Sequence, residues 1–113
     1  MEIIRLGVPV ERMDTTLSFY GDGLGLTAGC QSDEIKVFLV GTQRIELIPI
    51  EQPLQETRTN VRFHVHGLGE CIRYLVSEGY LSRDYLTREI GDFGQMEVED
   101  PAGNLIILVD GDR

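Results

Sequence analysis

The chain has 113 residues, enough for one domain with its own core and too few for two. Hydrophobic residues make up 42% of it, and no apolar run approaches the roughly 20 residues that cross a bilayer, so it reads as a soluble globular protein. The formal net charge of −9 argues against a polyanionic partner, because nucleic-acid binding relies on Lys/Arg clusters that neutralise phosphates.

An acidic exterior either keeps the protein soluble or favours a cationic ligand. Met1-Glu2-Ile3-Ile4-Arg5 lacks the basic and long apolar regions of a signal peptide, so the expected location is the cytoplasm. Cys30 and Cys71 lie far apart and outside any Cys-x-x-Cys pair, which argues against zinc ribbons and thioredoxin-like chemistry. Two reduced, mostly buried thiols are expected.

In chain order, Ile3 to Val10 alternates as a strand, with Ile4, Leu6, Val8 and Val10 on one face. Pro9 cannot donate a ladder hydrogen bond and belongs at a strand end or edge. Asp14-Thr15-Thr16 can cap a helix. Leu17, Tyr20 and Leu24 give that helix its spacing, and Gly21, Gly23 and Gly25 end it. Strands follow over Leu26 to Gln31, Ile35 to Val40 and Arg44 to Ile50, separated by polar turns. Residues 51–59 are polar, contain Pro53 and read as a linker.

Asn60 to His66 is the most regular strand. Val61, Phe63 and Val65 face one way, and Asn60, Arg62, His64 and His66 face the other. An amide, a guanidinium and both histidines on one face suggest a pocket wall. A helix over Leu68 to Glu78 follows, with Leu68, Cys71, Ile72 and Leu75 inside and Gly79 as its stop. Tyr80 to Glu89 is expected to hold a strand. Gln95 to Glu99 and Leu105 to Val109 are the last two strands, joined by the turn Asp100-Pro101-Ala102-Gly103-Asn104.

The order is a duplicated strand-helix-strand-strand-strand unit, residues 1–50 and 60–113. A shift of 55 residues aligns Arg5 with Asn60, Leu6 with Val61, Val8 with Phe63 and Phe19 with Tyr74.

Leu6-x-Val8-x-Val10, Leu17-Ser18-Phe19-Tyr20, Leu24-Gly25-Leu26, Ile45-Glu46-Leu47 and Glu99-Asp100-Pro101-Ala102-Gly103-Asn104, in this order, resemble the vicinal oxygen chelate superfamily of glyoxalases, bleomycin-resistance proteins and extradiol dioxygenases. The resemblance covers nearly the whole chain. It implies one α+β domain of two βαβββ modules, forming a curled mixed β-sheet around a central cup, with pairing into homodimers.

It also implies four inward ligand slots in the metal-using members, which fall here on Arg5, Glu46, Asn60 and Ile107. Metals of this kind want imidazole nitrogen and carboxylate oxygen. Only Glu46 qualifies. Arg5 is a permanent cation without an acceptor, Ile107 offers nothing, and Asn60 gives at most a weak carbonyl. His64 shares the Asn60 face but lies roughly 13 Å further along the strand. His66 suits a turn or capping role.

With no metal between them, Arg5 and Glu46 are expected to form an ion pair, and Arg62 to join it. Arg5 and Arg62 then either hold a ligand oxyanion or satisfy charges of the protein itself. Leu105, Ile107 and Val109, with Phe93 or Tyr85, would give an apolar wall. The expectation is a metal-free, small-molecule-binding protein whose ligand touches Arg5, Glu46, Asn60, Arg62, His64 and Ile107. The alternative is a metal-dependent lyase, isomerase or dioxygenase that uses Glu46 as its catalytic group in a rearranged metal site, a divalent metal not being excluded.

Overall fold

The computed structural model describes residues 2–32, 34–51, 57–91 and 94–111. The first module holds β1 (Glu2–Pro9), α1 (Met13–Ser18), β2 (Thr27–Gln31), β3 (Lys36–Val40) and β4 (Gln43–Ile50). The second holds β5 (Thr57–Val65), α2 (Leu68–Ser77), β6 (Gln95–Glu99) and β7 (Asn104–Asp110). The strands form two mixed sheets in the orders β1-β4-β3-β2 and β5-β7-β6. In each, the first strand of the module runs parallel to its last. The architecture is α+β, as the pattern predicts.

Both sheets turn one face to a single core. Leu6, Val8, Phe38, Ile45 and Leu47 come from the first sheet, and Val61, Phe63, Val65, Ile106 and Leu108 from the second. The tyrosine at the end of the first helical segment bridges them. Tyr20 is fully buried, with its ring centroid 6.2 Å from Phe38 and 5.7 Å from Phe63. Period-two alternation then sends the opposite rows, Arg5 with Glu46 and Arg62 with His64, outward from this core.

Four local expectations are corrected. The first helix does not start at an Asp14 cap. A 3₁₀ turn over Val10–Arg12 leads straight into Met13, and the Thr16 hydroxyl donates back to the Arg12 carbonyl at 2.7 Å. That helix widens into a π turn over Phe19–Gly23, closed by the Leu24 N–H on the Phe19 carbonyl at 2.9 Å. Gly23 leaves room there: a Cβ would lie 2.7 Å from a terminal methyl of the buried Leu75, which would have to move. The strand begins at Thr57 and so takes in the last three residues assigned to the linker; positions 52–56 lie outside the described residues.

No strand forms in Tyr80 to Glu89. Arg83–Thr87 makes a 3₁₀ segment that packs on α2 instead. Leu81 and Tyr85 are the buried residues of this stretch. They are four apart, a spacing that a strand and a helical turn can each bury on one side, so the packing on α2 rather than the spacing decides between them. Finally, Cys30 is exposed on β2 and Cys71 half-buried, so only one of the two free thiols is sheltered.

Candidate functional site

The outer face of the first sheet is built by register. Arg5 of β1 sits beside Glu46 of β4, and Glu46 beside Val37 of β3. The neighbouring row is Ile3, Arg44 and Leu39. Arg44 and Glu46 are two apart on one strand, so both side chains point outward.

Glu46 is only 5% exposed although it belongs to the outward row. Two arginines cover it. Arg5 Nε donates to Glu46 Oε1 at 3.0 Å and Arg44 Nε to Oε2 at 2.8 Å. The expected Arg5–Glu46 pair therefore forms, and its second partner is Arg44, which the pattern of charges alone did not single out. The trio carries a net positive charge. Ile3 and Leu39 lie exposed beside it.

Arg62 does not join this trio. It stands on the other sheet, where Nη1 donates to Gln95 Oε1 at 2.7 Å. The register also shows what stands beside the Ile107 slot. β5 is irregular between Arg58 and Arg62, and beyond that point Arg62, not Asn60, lies opposite Ile107. Each module thus pairs an arginine of its first strand with the slot on its last strand: Arg5 with Glu46, Arg62 with Ile107. The Asn60 side chain lies outside what is described, as does Phe93.

Arg62 and His64 are exposed, and Ile107 and Val109 half-buried, so this outer row is part polar and part apolar. Leu105 is 7% exposed. Tyr85 does not reach the row; its ring belongs to the core, and its hydroxyl accepts the Glu99 N–H at 3.1 Å. Arg62 and His64 also edge a groove of about 460 Å³ whose other bank is Glu2, Thr42 and Gln43. Gln43 Nε2 donates to Glu2 Oε1 there at 2.8 Å.

Three of the four metal slots offer no free donor. Ile107 and Arg5 have no lone pair to give, and both oxygens of Glu46 are already hydrogen-bonded. Among the described residues, no three His, Cys, Asp or Glu side chains come together to hold a metal ion.

A buried network that was read only as a turn lies behind the outer face of the first sheet. Asp100 Oδ1 accepts the N–H groups of Ala102 and Asn104, each at 2.9 Å. Asp100 Oδ2 accepts the Tyr20 hydroxyl at 2.5 Å. Asn104 Nδ2 donates to the Gly7 carbonyl of β1 at 3.0 Å. Burial pushes the Asp100 carboxyl above the usual carboxylate range, against the pull of these hydrogen bonds. Burial and the adjacent Asp100 push Tyr20 well above its ordinary value, so the proton stays on the tyrosine.

A model described as Glyoxalase/Bleomycin resistance protein/Dioxygenase superfamily matches residues 2–108. A search of curated proteins finds no match. Among solved structures, a glyoxalase family protein from Bacillus anthracis is similar at 20% identity, over 99% of this chain and 94% of that one, with a TM-score of 0.71. The bleomycin-binding protein of bleomycin-producing Streptomyces verticillus, complexed with copper(II)-bleomycin, is 18% identical over 97% and 94% of the two chains, TM-score 0.65. A mutant of the fosfomycin resistance protein FosX from Listeria monocytogenes, complexed with Mn(II) and 1S,2S-dihydroxypropylphosphonic acid, is 16% identical over 99% and 92%, TM-score 0.75.

Proposed function

The chain belongs to the Glyoxalase/Bleomycin resistance protein/Dioxygenase superfamily, and from that premise we propose that it binds a small organic molecule carrying an oxyanion, without a resident metal. The observation that carries this reading is the trio at Glu46. One carboxylate held by two guanidinium groups leaves one positive charge in excess on the outer face. Guanidinium is well suited to carboxylate, phosphate and phosphonate oxygens. Arg62 supplies a second cation on the other outer row, beside the apolar Ile107 and Val109.

In this reading the ligand lies with its charged group toward Arg5 and Arg44 and its apolar part toward Ile107. His64, Asn60 and Arg62 contribute polar contacts. A homodimer completes the cup, because the two outer rows of one chain both turn away from their shared core and a second copy can bring one row opposite the other. β1 and β5 support this: each pairs on one side only among the described residues, which leaves an open edge. The cytoplasm suits the exposed free thiol of Cys30. Using Glu46 in metal-assisted chemistry requires its release from both arginines, so a metal-dependent enzyme is the competing outcome rather than the primary reading.

The test is a thermal-shift panel of small organic acids, amines and neutral compounds on the wild type and on Arg5→Gln/Arg44→Gln. Stabilisation by organic acids that the double variant loses is expected. Stabilisation by amines alone, or an acid response unchanged in the variant, contradicts the reading.

A further inference from the structure

We infer that the trench between α2 and the 3₁₀ segment Arg83–Thr87 is a second ligand site, one that takes a small amphipathic anion with a carboxylate head and an apolar tail. It lies on the helical side of the second module, apart from both outer sheet faces, and does not rest on the function proposed for them. The segment that forms one bank is the stretch that stays out of the sheet, so the trench exists because the second module departs from the strand pattern of the first.

Two adjoining cavities of about 180 and 430 Å³ share Arg73 and Leu86. Together they reach the size range of small-molecule pockets. The floor is apolar: Leu86 and Ile90 are each 45% exposed, large for side chains of their type. The walls carry Arg73, Arg83 and Arg88, three of the ten Lys and Arg residues in a chain with 19 carboxylates. Among the described residues no carboxylate lines either cavity. None of these three arginines forms an ion pair with a carboxylate among the described residues.

One guanidinium is held in place. Arg88 lies over the Tyr85 ring at 4.0 Å from its centroid. That ring is buried and pinned through its hydroxyl by the Glu99 N–H. A guanidinium stacked by its face leaves its N–H edge for an anion in its plane. The occupant is a single small anion rather than a polyanion, which the net charge of −9 would repel.

The experiment is an amide NMR titration of the full chain with octanoate, with octanol and acetate as half-ligands. Octanoate is expected to shift the amides of 69–77 and 83–90 saturably, with octanol and acetate each weaker by about tenfold or more. Arg73→Gln/Arg88→Gln is expected to lose a similar factor while unfolding at the wild-type temperature; should it not fold, Arg83→Gln serves in its place. The inference is overturned by no saturable shift, by octanol binding as well as octanoate, or by shifts confined to Arg5, Arg44 and Arg62. It is also overturned if the trench residues respond to protein concentration instead, because a second copy of the chain then covers them.

Discussion

Arg5 and Arg44 do the same job for Glu46 from two different strands, and neither is indispensable alone. The Arg5 side chain is 67% exposed, so its pair with Glu46 is screened and contributes below about 1 kcal/mol. Removing both arginines is another matter, because it strands a nearly buried carboxylate at a cost of about 2–3 kcal/mol. Arg5→Ala and Arg44→Ala are therefore expected to be mild singly and worse than additive together, a coupling that a double-mutant cycle in urea measures. Much of this site is legible at the level of single residues. Glu46 and Arg5 both stand in slots that ask for a ligand, and only Glu46 can serve as one, which points to their pairing; Arg44 as the second partner was not singled out, although period two puts it on the Glu46 face. The place of Arg62 is not legible, because it depends on an irregularity in β5 that only the tertiary structure of the strand pair produces.

At the scale of elements, Asp100 ties three of them. Its carboxylate holds the β6–β7 turn and the Tyr20 hydroxyl at the end of the first helical segment, and Asn104 of the same turn reaches β1. The folded-state carboxyl is raised above its unfolded value by burial. The contribution of this group to stability is thus full below the ordinary aspartate range and declines as pH rises through the raised value. Asp100→Asn cannot ionise and keeps an oxygen for the turn. The stability of the wild type relative to Asp100→Asn is expected to fall as pH is raised from the ordinary aspartate value towards neutrality, read from melting temperatures across that range. A constant difference over it contradicts the raised carboxyl. The turn itself was legible, since Pro, Gly and Asn at those positions have a mechanical reason to be there. The buried hub was not, because its partners stand 80 and 97 residues away in sequence. The missing strand at Tyr80 to Glu89 has a similar cause: Leu81 and Tyr85, four apart, share a face in a strand as well as in a helical turn, and only the packing on α2 decides between them.

At the scale of the whole molecule, two modules share one core and present two outward rows, and the alternation in β1 and β5 makes the first strand of each row legible in the sequence. In the proposed homodimer the rows meet across two copies, which no single-chain pattern encodes. Light scattering is expected to return twice the mass of one chain; a monomer at micromolar concentration contradicts the shared cup. The central claim, a cup whose metal position is taken over by the Arg5–Glu46–Arg44 trio, is tested most directly by elemental analysis of protein purified without chelator, before and after equilibration with Ni, Zn, Mn or Fe. The account predicts less than about one-tenth of an equivalent of any divalent metal after desalting, since one carboxylate beside two guanidinium groups gives no adequate donor set. One equivalent per chain that disappears in Glu46→Ala would contradict it.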